Sequence, residues 1–131
     1  MKRVVLSGVA AAAVLLGAVA AQASGRFVVF FSTGSTEISP DAKSTIAVIE
    51  GQLTAKHVSA IKVVGHCSAH DVEKSGNPSD SGVSLSTARA QAVVDALHAA
   101  GLPETVKVAV SGKPAVKNDD PRRRSVSIIA K

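Results

Sequence analysis

The sequence predicts an α/β chain of the α+β sandwich kind, with one mixed sheet and two helices on one of its faces. Three observations lead there. Short runs of β-forming residues alternate with two longer stretches whose apolar residues recur at spacings of three and four. The segments fall in the order β-α-β-α-β-β. A single cysteine, Cys67, rules out an internal disulfide, so the fold must stand on one hydrophobic core.

The first 23 residues are expected to lie outside that fold. Lys2-Arg3 is a short basic start, Val4 to Ala20 is a nearly unbroken apolar run, and Ala21-Gln22-Ala23 is a small-x-small cleavage site. This is the pattern of a secretory signal peptide. A membrane anchor fits less well, because the run falls short of about 20 residues and no basic cluster follows it. Cleavage after Ala23 leaves residues 24–131, which is 108 of the 131 and the size of one domain. No membrane span is expected after cleavage, and the localisation expected is the periplasm and cell envelope.

Arg26 to Phe31 reads as a buried strand, broken by Ser32-Thr33-Gly34-Ser35. Ser39 caps the first helix and Pro40 takes its first position. Ala42, Ile46, Ile49 and Leu53 make its apolar face, and it ends near Ala55 to His57. Ala60 to His66 is the second strand. Ser68 to Gly82 is a polar loop, long enough to suggest a function. The second helix is expected from Ser86 to about Ala100, with Ala92, Val93, Ala96 and Leu97 inward and Gly101 as its stop. Thr105 to Val110 and Ser125 to Ile129 are the last two strands.

Arg89 is the residue that this reading makes unusual. With Ser86 as the cap, Arg89 falls in the first turn, where the helix dipole favours an anion over a cation. An arginine there makes sense when a carboxylate meets it, gripped by the guanidinium and the free N–H groups together. The plain alternative is a solvated arginine.

Composition excludes several classes. Without Lys2 and Arg3 the 15 basic residues become 13, against 10 acidic ones, a net charge of +3. Much of that excess is local, around Arg122-Arg123-Arg124, so no nucleic-acid stripe forms. Phe27, Phe30 and Phe31 are the only aromatics, which leaves no platform for stacking bases or sugars. No G-x-S-x-G elbow and no spaced carboxylate pair point to an enzyme, and no cofactor is implied. His66, Cys67 and His70 are metal-ligand types close together, but a strand end and a loop do not fix their geometry. A weaker alternative is a metal site there; the ordinary alternative is structural or solvated histidines and a buried, inert thiol. Arg122-Arg123-Arg124 is by default a solvated run, whose alternation on a strand would turn Arg122 and Arg124 to one side.

Four segments, taken in order, resemble a known family. Phe31-Ser32-Thr33-Gly34-Ser35 through Ser39-Pro40-Asp41-Ala42 is similar to F-D-x-G-S…L-x-P-x-A. Val64-Gly65-His66-Cys67-Ser68 resembles V-x-G-H-T-D. Leu85-Ser86-Thr87-Ala88-Arg89-Ala90-Gln91-Ala92-Val93 resembles L-S-x-x-R-A-x-x-V, and Arg123-Arg124-Ser125-Val126-Ser127-Ile128 resembles N-R-R-V-x-I. These are the marks of the OmpA-like C-terminal domain. The resemblance implies a non-covalent peptidoglycan-binding module that holds the stem peptide through diaminopimelate. Within it the arginine, here Arg89, meets the ligand carboxylate and the G-H-T-D aspartate meets its ammonium.

The chain departs from that pattern where the charge should be. The F-D aspartate is Ser32, the G-H-T-D aspartate is Ser68, a usual asparagine is Gly82, and of the last arginine pair only Arg124 remains, beside Ser125. An ammonium met by hydroxyls alone forgoes a charge-assisted hydrogen bond worth roughly 1.5–3 kcal/mol, about tenfold to a hundredfold in affinity. Asp71 or Asp80, folding back from the long loop, is expected to supply the missing carboxylate. The implied ligand-binding residues are therefore Arg89, Ser68, Asp71, Ser32, Gly82 and Arg124. The alternative function is a degenerate domain that binds an envelope protein or another anion through Arg89, Arg123 and Arg124.

Overall fold

The computed structural model describes residues 25–74, 82–117 and 121–131. The expected signal peptide and Asp80 lie outside the described residues. The elements are strand β1 (Arg26–Phe30), helix α1 (Pro40–Ala55), strand β2 (Ala60–Gly65), helix α2 (Ala69–Lys74), helix α3 (Val83–Ala100), strand β3 (Lys107–Gly112), a 3₁₀ turn (Pro121–Arg123) and strand β4 (Ser125–Ala130).

The sheet order is β1-β4-β2-β3. β4 is antiparallel to both β1 and β2, while β2 and β3 run parallel. A parallel pair needs a long crossover, and α3 supplies it. Alternation along the strands sets the two faces. Phe27 and Val29, Ile61 and Val63, and Val126 and Ile128 are buried and meet Ala42, Ile46, Ile49 and Leu53 of α1 and Ala90, Val93, Val94 and Leu97 of α3. The helix face of the sheet is thus the core. The other face carries Arg26, Val28, Phe30, Lys62, Lys107 and their neighbours.

Ser39 caps α1 as expected: its Oγ accepts from the Ala42 N–H at 3.1 Å, with Pro40 at the first position. Four expectations need correction. The stretch from Ser68 is not all loop, because α2 forms over Ala69–Lys74, which makes three helices instead of two. α3 begins one turn earlier than Ser86, with Gly82 as its cap at φ +95°. Only glycine accepts that left-handed conformation at little cost. Ser86 is therefore inside the helix, and its Oγ donates to the Lys113 carbonyl at 2.7 Å. On the inner face of α3, Ala90 and Val94 join Val93 and Leu97 as buried residues, while Ala92 and Ala96 are half-buried. Last, Arg122 and Arg123 lie in the 3₁₀ turn, so no strand alternation sorts the arginine run.

Two glycines bring α3 down onto the sheet. Gly65 and Gly112 face each other across the β2–β3 ladder. A Cβ on Gly65 would run into the Ser86 carbonyl, and one on Gly112 would lie 2.6 Å from the Thr87 N. The backbone of α3 occupies the space where side chains would stand. This close approach sets Arg89, one turn further along, beside the carboxyl ends of the strands.

Candidate functional site: a buried arginine–aspartate pair

Arg89 is wholly buried, and so is Asp71. With α3 starting at Val83, Arg89 lies in the second turn, beyond the reach of the helix N-terminus. The dipole argument for its place is thereby overturned. What holds it is a set of acceptors from three separate segments: the 32–35 turn, the end of β2 and α2.

A guanidinium has five N–H donors, and each has an acceptor here. Nε donates to the Ser35 carbonyl at 2.8 Å. Nη1 donates to the His66 carbonyl at 3.0 Å and to Asp71 Oδ2 at 3.4 Å. Nη2 donates to the Ser32 carbonyl at 3.0 Å and to Asp71 Oδ1 at 3.0 Å. The ring of Phe31 adds a cation–π contact, with its centroid 5.4 Å from Arg89 Cζ.

Asp71 is equally committed. Its Oδ1 also accepts from the Gly34 N–H at 2.7 Å, and its Oδ2 from the Ser68 N–H at 2.8 Å and the Ser68 hydroxyl at 3.1 Å. In return Ser68 Oγ accepts from the Asp71 N–H at 3.2 Å. This is a capping box at the start of α2, with Ser68 as cap and Asp71 three residues on. Burial alone pushes the Asp71 carboxyl up. The hydrogen bonds from Arg89, Gly34 and Ser68 and the Arg89 charge outweigh burial and hold it below the usual carboxylate range.

The other expected residues sort as follows. Ser32 contributes its carbonyl, while the residue itself is exposed. Ser68 works through Asp71. Gly82 is the cap of α3, and its carbonyl accepts from the Cys67 thiol at 3.3 Å. Arg124 is half-buried, and its carbonyl accepts from the Phe31 N–H at 2.7 Å, tying the end of β1 to the start of β4. The Ser35 and His66 carbonyls and the Gly34 N–H were not foreseen. They are backbone groups, and a sequence carries no direct sign of which way they point.

His66, Cys67 and His70 do not converge. The His66 Nε2 lies 3.4 Å from Ser127 Oγ, Cys67 is buried against Gly82 and Ser86, and exposed His70 pairs with Glu73 at 3.6 Å. Among the described residues no three His, Cys, Asp or Glu side chains are grouped to hold a metal. Burial, then the nearby charges of Arg123, Arg26 and Lys113, lowers the His66 pKa. A separate groove of about 190 Å³, between β1 and the start of α1, is lined by Val28, Phe30, Ser39, Asp41 and Thr45 among others and shares no residue with the Arg89 cluster.

The fold and this site define a class. The model of the OmpA family matches residues 30–128. The chain belongs to the OmpA family. Its fold is similar to that of the OmpA-like domain of FopA1 from Francisella tularensis subsp. tularensis SCHU S4, at 21% identity and a TM-score of 0.61 over 81% of this chain and 73% of that one. It is similar to the peptidoglycan-associated lipoprotein from Burkholderia pseudomallei, at 14% identity and a TM-score of 0.63 over 79% of this chain and 89% of that one. The periplasmic domain of Helicobacter pylori MotB aligns at 19% identity and a TM-score of 0.66, over 81% and 74% of the two chains. At such identities the likeness carries the fold alone. No curated protein matches the chain in sequence. No helix among the described residues is long and apolar enough to cross a membrane.

Proposed function

We propose that the chain is an exported module of the periplasm and cell envelope that binds peptidoglycan non-covalently, without catalysis, through the diaminopimelate of the stem peptide. In this reading residues 1–23 are the cleaved signal and residues 24–131 the working domain. The observation that carries it is the position of Asp71. Family membership brings the expectation of an arginine for a ligand carboxylate and an aspartate for a ligand ammonium. The aspartate position is Ser68 here, yet Asp71, three residues on, sets its carboxylate against the Ser68 N–H and 3.0 Å from Arg89. Both charges of the grip are present at one place.

Because the pair is closed, binding is an exchange. A ligand ammonium takes the place of Arg89 on Asp71, and a ligand carboxylate takes the place of Asp71 on Arg89. Two like pairs replace one, so no charge is left stranded, but bonds from Gly34, Ser68 or the three carbonyls must rearrange. Some of the ligand's binding energy is spent on that opening, and the complex is correspondingly weak.

The full occupancy of the guanidinium favours a second reading. There the pair is an internal latch joining the 32–35 turn, β2, α2 and α3, and the domain is a degenerate copy whose partner is an envelope protein.

Co-sedimentation with purified sacculi separates the two. The first reading expects the wild type to pellet, free diaminopimelate to release it, and Arg89→Ala to abolish pelleting. Absence of wild-type binding, or binding that persists on a sacculus lacking diaminopimelate, overturns it. The competition arm uses the wild type, so it stands even where Arg89→Ala does not fold.

A further inference from the structure

Among the described residues the acidic side chains keep to the helices and connections, and the strands carry only basic ones. None of the four strands contains an Asp or a Glu. The acidic residues among those described are Glu37, Asp41, Glu50, Asp71, Glu73, Asp95 and Glu104, all in helices or connections. The strands do contain Arg26, Lys62 and Lys107, and all three are exposed on the face opposite the helices.

The register places them. Arg26 of β1 and Lys62 of β2 both lie opposite Ile129 of β4, and Lys62 lies opposite Ala109 of β3. One row across the sheet therefore reads Arg26, Ile129, Lys62, Ala109. Neighbouring strands are about 4.8 Å apart, so Arg26 and Lys62 stand about 10 Å apart with an apolar side chain between them. Lys107 stands two positions from Ala109 on the same side of β3. Towards the other end, Arg123 and Lys113 come near enough to His66 to act on it electrostatically. Val28 and Ile129 are half-buried on this face, and Phe30 is 52% exposed. Among the described residues Arg26, Lys62, Lys107, Lys113 and Arg123 make no ion pair.

We propose that the exposed part of this sheet face, around Arg26, Lys62 and Lys107, is a docking surface for an anionic lipid bilayer; Val64, Ser125 and Ser127 further along the same face are buried. The cations do not converge on a pocket, as they would for one small anion; they are spread over a sheet surface with apolar side chains between them. That arrangement matches a plane of phosphate groups over a hydrocarbon interior, where basic side chains meet the headgroups and apolar ones the interface beneath. The face is separate from the Arg89 pair, which lies on the helix side of the sheet, so the inference does not rest on the peptidoglycan reading.

The test is co-sedimentation of the chain with phosphatidylcholine vesicles, with and without a minor share of phosphatidylglycerol, at low and high salt. The quantity read is the salt-sensitive part of the binding, since an apolar run at residues 1–23 contributes a part that salt does not remove. Binding is expected on the anionic vesicles only. Lys62→Gln and Lys107→Gln each weaken it about fivefold, and together about 25-fold, as about 1 kcal/mol per basic residue near the surface requires. Lys43→Gln, at an exposed position of α1 in the helical layer, leaves it unchanged. The proposal is wrong if no salt-sensitive binding occurs, or if Lys43→Gln weakens it as much as Lys62→Gln does. It is also wrong if soluble polyglutamate captures the chain with the same lysine dependence while vesicles do not, which would make the face a protein-docking surface.

Discussion

Removing one member of the Arg89–Asp71 pair should cost about as much as truncating a large apolar side chain in the core. Asp71→Asn keeps the shape and much of the capping box but leaves the Arg89 charge buried with only the Ser32, Ser35 and His66 carbonyls around it. Arg89→Met leaves the Asp71 carboxylate buried with the Gly34 and Ser68 donors alone. Breaking a buried pair from one side costs about 3–5 kcal/mol. A domain of this size is stable by about 5–15 kcal/mol in all, so each variant should sit close to unfolding. The double variant strands neither charge. Its cost should fall below the sum of the singles by about 2–3 kcal/mol, near the top of the range for residues in direct contact. It should not return to wild type, because three carbonyls lose their Arg89 donors and a single amide oxygen replaces the carboxylate that met the Gly34 and Ser68 N–H groups. Urea unfolding of the four proteins at pH 7 measures this cycle. Single costs under 1 kcal/mol, or costs that add to within about 0.5 kcal/mol, would refute the assignment of the pair as the tie between these segments. The pH arm has a definite sign. The folded Asp71 carboxyl titrates below its unfolded value, so its stabilisation is complete above the usual range near pH 4 and is lost as pH falls through the lower folded pKa. Wild type should lose stability over that acid window, and Asp71→Asn should lose less.

Two further predictions rest on other parts of the fold. Gly65→Ala places a methyl group against the Ser86 carbonyl, where helix backbone must move to admit it. It should destabilise by about 1–3 kcal/mol or more in urea unfolding, whereas Gly51→Ala, whose added methyl group meets nothing, should stabilise α1 by up to about 1 kcal/mol. His66 binds its proton less readily when folded, so it contributes stability above about pH 6.5 that is lost as pH falls through its lowered pKa. Thermal unfolding between neutral and mildly acid pH should show that loss in the wild type and a smaller one in His66→Gln; equal slopes would place the charge effect elsewhere.

The fold was legible because its elements carry strong local patterns. Ser39-Pro40 and the spacing of Ala42, Ile46, Ile49 and Leu53 define α1 almost to the residue. The strands around Val28, Val63 and Ile128 read from their β-branched residues. The start of α3 did not, for a physical reason. Its cap is a glycine in a left-handed conformation, without a side-chain hydrogen bond to announce it, while Ser86 looks like a cap and is instead buried under Lys113. Only the third strand is shifted, by two residues from the expected 105–110. β3 begins at Lys107 and runs to Gly112, because its partner β2 ends at Gly65 and the ladder follows the partner.

The site was legible in its residue types and not in its geometry. Arg89 drew notice for a wrong reason, a helix dipole that does not reach it, and belongs to the site for a different one. The sequence does contain the sign that places Asp71. Ser68-x-x-Asp71 is a capping-box pattern, and a box that starts a helix at Ala69 fixes the aspartate beside the Ser68 N–H. A loop reading of residues 68–82 hides that sign, since a cap has meaning only where a helix follows. Once α2 forms, its first turn carries a carboxylate back to the strand ends, and the buried guanidinium of Arg89 is neutralised within the chain. Ser68 carries no carboxylate; the one that meets Arg89 comes from three residues further on, and α2 is what positions it.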